Sequence, residues 1–174
     1  MRQFLDRLYH LSGVLSGCLI LAICLLVSCQ ILLNATSRII GPVLPTTIPS
    51  YADFSGFMLA AASFLALAHT LRSGGHIRVN LVTQQFSTRM RVVFEFITLV
   101  LSTGLIGYAL WYMVLLVEES HRYGDQSSGI IAIPLAIPQA AVAVGLAILF
   151  IALVDTLVEL LRFCKPVLTS PDEV

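Results

Sequence analysis

The chain has 174 residues, of which 57% are apolar and 11% charged, and its formal net charge is zero. A soluble domain is about a quarter charged, so this composition, with a mean hydropathy of +0.91, excludes an ordinary water-soluble protein. The basic residues lie in short segments between apolar runs and form no extended patch for nucleic acid.

About 20 apolar residues cross a bilayer as a helix, and lipid tolerates no unpaired backbone, so the four apolar runs are expected to be helices. The first covers Leu11–Leu33. Its basic start suits a signal peptide, but the run is longer than a usual h-region and no A-x-A-like site closes it, so it is expected to be retained. Cys18, Cys24 and Cys29 lie inside this run and Cys164 near the C-terminus; none forms a CxxC, and the three membrane cysteines are expected to pack as small hydrophobes.

The connection Gly41–Ser50 holds three prolines and cannot be a continuous helix. The second run, Phe54–Leu71, is the shortest. A polar segment, "LRSGGHIRVN", follows it, and Ser87 or Thr88 is expected to cap the third helix, whose apolar run is Val92–Val117. The fourth run, Pro134–Val154, opens with Pro134 and Pro138, either of which suits a first helical turn. The fold expected is all-α, one membrane domain of four transmembrane helices spanning residues 1–174, with short interfacial segments. Tyr9, Tyr51, Trp111, Tyr112 and Tyr123 fall near span ends, as an aromatic belt would.

Orientation follows the basic residues. Arg2, Arg7, Arg72, Arg78, Arg89, Arg91, Arg162 and Lys165 lie on one side, and only Arg38 and Arg122 on the other. Eight against two puts both termini in the cytoplasm.

The middle of every span lacks Asp, Glu, Lys, Arg and His. Intramembrane ionisable groups mark ion and solute pathways, and no inverted repeat or broken helix is visible. The chain is therefore a poor carrier by itself. Glu95 lies about one turn into the third span, four residues from Arg91, and reads as a boundary ion pair. His10 and His69 share a depth, which raises a haem-binding four-helix redox protein as the alternative function; no histidine spacing suits a metal site. Gly13 and Gly17, Gly56 and Ala60, and Gly104 and Gly107 are small residues that let helices approach. In "LRSGGHIRVN", Gly74-Gly75 suits a helix end, Arg72 and Arg78 suit lipid phosphate, and the alternation after His76 suits a stretch lying on the membrane surface.

That segment, extended to "LRSGGHIRVNLV", resembles the signature after the second helix of the small integral-membrane (DctQ-like) subunit of tripartite ATP-independent periplasmic (TRAP) transporters. Arg72, Gly74 or Gly75, His76, Ile77, Arg78 and Val79 match, while Asn80 stands where an acid is common. "NATSR" resembles the end of that family's first span, "SYADF" the acidic start of its second, and "EES…SSGIIAIPLAIPQ" its stretch before the fourth.

The resemblance implies a non-catalytic small permease subunit of a sodium-coupled transporter for carboxylates or other organic acids, in a bacterial inner membrane. Its implied partners are a large elevator-type membrane subunit, a periplasmic solute-binding protein and phospholipids, with no nucleic acid and no cofactor. Arg72, His76 and Arg78 are the expected anchors to lipid or to the large subunit. Arg38, Asp53, Glu118 and Arg122 are the expected external ties or docking residues. Replacing Arg72 or His76 by Ala should matter only if those side chains are enclosed.

Overall fold

A computed structural model describes residues 2–41, 45–73 and 88–163. Four helices account for most of them: α1 (Arg2–Ile40), α2 (Tyr51–Arg72), α3 (Thr88–Tyr123) and α4 (Ala136–Phe163). All four are long and apolar enough to cross a membrane. At 39, 22, 36 and 28 residues, they are roughly 58, 33, 54 and 42 Å long. Only α2 is close to the hydrocarbon thickness. The other three continue past the apolar runs, because helix geometry does not stop where lipid stops.

Helix boundaries follow local chemistry. Tyr123 ends α3 because Gly124 takes φ +68, and the Asp125 N–H donates back to Ser120 O at 3.0 Å in a Schellman closure. Pro134 lies outside α4, in an isolated bridge with Gln126. Pro138 falls in the first turn of α4, where the N–H that proline lacks would have no intrahelical partner. Within the spans, Ser55, Ser63, Thr70, Thr98, Thr103 and Thr156 donate to the carbonyl four residues earlier, which satisfies their hydroxyls in an apolar setting.

The helices are arranged α1–α2–α4–α3. α1 packs on α2, α2 on α4 and α4 on α3, with a slight α1–α4 contact. α4 is the shared element: Ile148 and Ala152 join Tyr9, Leu65 and Ala68 in one core, while Leu149, Leu153 and Leu160 join Leu99 in another. Lipid competes as well as leucine for apolar surface, so close backbone approach has to supply the adhesion between helices.

One glycine permits that approach at each crossing. A Cβ on Gly13 of α1 would lie 2.7 Å from the His69 ring of α2. One on Gly145 of α4 would lie 2.7 Å from the Phe64 carbonyl carbon of α2, and one on Gly107 of α3 would lie 3.0 Å from the Phe150 ring of α4. Gly17, Gly56 and Gly104, which belong to the same small-residue patterns, face open space. At the α1–α2 crossing the Ser16 hydroxyl adds a hydrogen bond to Ala62 O at 2.7 Å.

Trp111 and Tyr112 depart from the expected belt. Gly107 meets Phe150, four residues before the apolar run of α4 ends at Val154, so the aromatics one turn further along α3 lie inside the span.

Candidate functional site

The two ends of the bundle are tied in different ways. At the terminal end, where α1 and α3 begin and α2 and α4 finish, the ties are ionic. Arg72, in the last turn of α2, donates from Nη1 to Glu159 Oε2 at 3.1 Å, lies 3.8 Å from Asp155 Oδ2 and 3.5 Å from Thr156 Oγ1. Asp155 and Glu159 are four residues apart on α4, so both carboxylates share the face turned to α2. Arg2 of α1 donates to the other oxygen of Glu159.

The Arg72 side chain is 17% exposed and that of Glu159 is 16% exposed, so this pair is largely enclosed. The Arg72 guanidinium carbon also stands 6.0 Å from the centre of the Tyr9 ring, which is buried in α1. Two arginines against two carboxylates leave the cluster close to neutral, and three helices meet in it.

At the hairpin end, where both connections lie, the ties are neutral. Gln30 of α1 donates to Thr46 O at 3.3 Å and accepts from the Ile48 N–H at 2.7 Å. Ser50, in a left-handed conformation before α2, accepts from the Ile131 N–H at 2.8 Å. Gly129 packs against Asp53 Oδ2 and Ser50 Oγ so closely that a Cβ would collide with both. The loop from Gly124 to Leu135 is closed on itself by Ser127 N–H to Ile133 O at 2.9 Å and Leu135 N–H to Asp125 O at 3.0 Å.

The expected site residues divide accordingly. Arg72 is enclosed, and its charge is engaged by α4. Asp53 is half-buried against the 124–135 loop. Arg38 is exposed in the last turn of α1. Glu118 and Arg122 pair with each other at 3.3 Å, both well exposed at 65% and 71%. His76, Arg78, Gly74, Gly75 and the expected surface-lying stretch are outside the described residues.

Sequence reasoning missed Asp155, Glu159 and Arg2, although an acid pair at i and i+4 just beyond an apolar run was a visible signal. His10 and His69 do come together, with ring centres 6.0 Å apart and planes at 88°. The contact is lateral, between adjacent helices, with His69 packed on Gly13. Nothing in it supports the haem alternative.

A family model described as "Tripartite ATP-independent periplasmic transporters, DctQ component" matches residues 23–163. The chain belongs to this family. As a DctQ component it is a multi-pass inner-membrane protein and the small permease component of a TRAP transporter. No curated protein and no solved structure matches it. The matched region takes in Arg72, Asp155 and Glu159, whereas Arg2, Tyr9, Gly13 and Ser16 precede it and still contribute to packing.

Proposed function

We propose that this DctQ component acts as a stationary brace for a larger elevator-type subunit in sodium-coupled uptake of organic acids. On this reading both termini are cytoplasmic, and the hairpin end faces the periplasm and helps to dock the solute-binding protein. One observation carries the reading: the charged groups of the described spans lie toward the helix ends, and at the terminal end Arg2, Arg72, Asp155 and Glu159 tie three helices to one another. A carrier needs a polar site within the membrane that opens alternately to each side. A brace needs rigid crossings and fastened ends.

The site roles follow from the same picture. Arg72 is a tie within the chain, which holds α2 to α4 and, through Glu159, to α1. His76 and Arg78 keep the role of anchors to lipid phosphate or to the large subunit. Asp53 fixes the 124–135 loop, and Arg38, Glu118 and Arg122 form the exposed rim that the binding protein would meet.

Copurification tests the proposal. Tagged chain extracted from its native membrane should bring down a larger multi-span protein, and liposomes should take up carboxylate only when that protein and a binding protein are also present. Uptake by this chain alone would overturn it.

A further inference from the structure

The two outermost helices present different chemistry to their surroundings. The outward side of α1 is aliphatic, with Leu11, Leu21, Leu25 and Leu32 exposed, and lipid tails cover such a surface at no cost. The outward side of α3 is aromatic and polar: Tyr108 is 63% exposed, Trp111 67% and Tyr112 54%, between Leu101, Leu105 and Leu115. Spacings of three and four residues place these six on one face; Leu99, packed toward α4, lies on the opposite side, and Gly107, four residues before Trp111, lies at the edge between the two. Gly104 lies on the same outward side and faces open space.

Depth makes this face unusual. From Phe96 to Val117, α3 has no Asp, Glu, Lys, Arg or His, a run of roughly 33 Å against a hydrocarbon core of about 30 Å. Tyr108 falls near its midpoint, and Trp111 and Tyr112 about one turn beyond. The meeting of Gly107 with Phe150, four residues before the apolar run of α4 ends at Val154, brings Trp111 and Tyr112 level with the middle of that run. Helical side chains lean toward the helix N-terminus, and in α3 that direction leads from Trp111 and Tyr112 toward the terminal interface, more than a side chain's length away. The polar tips of Trp111 and Tyr112 therefore cannot reach interfacial water by snorkelling.

The Tyr108 and Tyr112 rings lie 4.6 Å apart. Among the described residues neither hydroxyl nor the indole N–H has a hydrogen-bond partner. Hydrocarbon offers no acceptor, and a hydroxyl or N–H left unpaired there is costly.

We infer that the Tyr108–Trp111–Tyr112 face of α3 is covered by a transmembrane helix of the large subunit, which supplies carbonyl or side-chain acceptors at mid-membrane depth. This rests on the brace reading above and assigns it a side: α3 meets protein and α1 meets lipid. The indole N–H can only donate, whereas each tyrosine hydroxyl can donate or accept, so a partner that brings carbonyl or side-chain acceptors to this depth satisfies all three groups. Gly104, one turn from Tyr108, gives the partner backbone room to come close.

Site-directed photo-crosslinking in the intact membrane tests the inference. A benzophenone amino acid is placed in turn at Tyr108, Trp111 and Leu25, and the complex is purified through this chain. Adducts with the large subunit from Tyr108 and Trp111, and none from Leu25, are expected. The double variant Tyr108→Phe and Tyr112→Phe, which keeps the rings and removes both donors, should retain the fold and bind the large subunit on the order of tenfold more weakly.

A copurifying large subunit that crosslinks only from Leu25 would overturn the inference and leave the brace reading standing. So would adducts from Tyr108 and Trp111 only with lipid or with another copy of this chain. Absence of any large membrane protein from the purified sample would overturn both.

Discussion

The terminal end and the hairpin end of the bundle do the same mechanical work with different chemistry. At the terminal end, α1, α2 and α4 are joined through Arg2, Arg72, Asp155 and Glu159, with the central pair largely shielded from solvent. At the hairpin end, neutral hydrogen bonds of Gln30 join the first connection to α1, and one accepted by Ser50 joins the two connections to each other. The ionic end fails badly when one charge is removed, since the partners stay enclosed. The neutral end spreads its hold over single bonds, each of modest worth. Where a charge lies, and how much water reaches it, matters more than how many charges there are.

Four substitutions probe this contrast. Arg72→Ala leaves Asp155 and Glu159 facing each other with only the exposed Arg2 to balance them. It should cost about 3 kcal/mol of stability, read as a lower denaturation midpoint in detergent. A loss under about 1 kcal/mol would place the cluster with exposed pairs.

Gln30→Ala removes two hydrogen bonds that hold the first connection to α1. About 1–2 kcal/mol should be lost in the same denaturation assay, with faster amide exchange at Ile48. Ser50→Ala leaves the Ile131 N–H without its acceptor, at a cost of about 1 kcal/mol. Its signature should be faster proteolysis in the 124–135 loop, and unchanged cleavage there would show that the bond contributes nothing to holding it. Glu118→Gln breaks a pair exposed on both sides and should change stability by less than about 0.5 kcal/mol. A large loss of thermal stability from it would mean that exposure is a poor guide to the worth of a pair in this protein.

Much of this was legible in the sequence, and the exceptions have physical reasons. Four apolar runs announce four helices, because lipid leaves the backbone no other economical choice. The run that ends at Val154 marks where lipid stops, yet the helix continues to Phe163 and carries Asp155 and Glu159 into the site. Arg72 stood out by charge, but its partners came from a helix more than 80 residues away, and only folding brings them together.

The glycines make the same point. Gly13 and Gly107 were marked by spacing and do lie at crossings; Gly17, Gly56 and Gly104 were marked equally and do not; Gly145 was not marked and lets the backbones of α2 and α4 come close. Spacing shows which residues share a helix face. It cannot show which face another helix covers. Trp111 and Tyr112 looked like belt residues because the apolar run ends soon after them, whereas the helix register puts them deeper.

A brace keeps its shape while its partner moves, and that can be measured directly. Spin labels at Arg38 of α1 and Arg122 of α3, both exposed at the hairpin end, report the distance between the outer helices in the assembled transporter. A rigid brace gives one narrow distance distribution, identical with and without sodium and transported solute. A second population that appears and vanishes with sodium and solute would show that these four helices take part in the transport movement, and would contradict the brace reading.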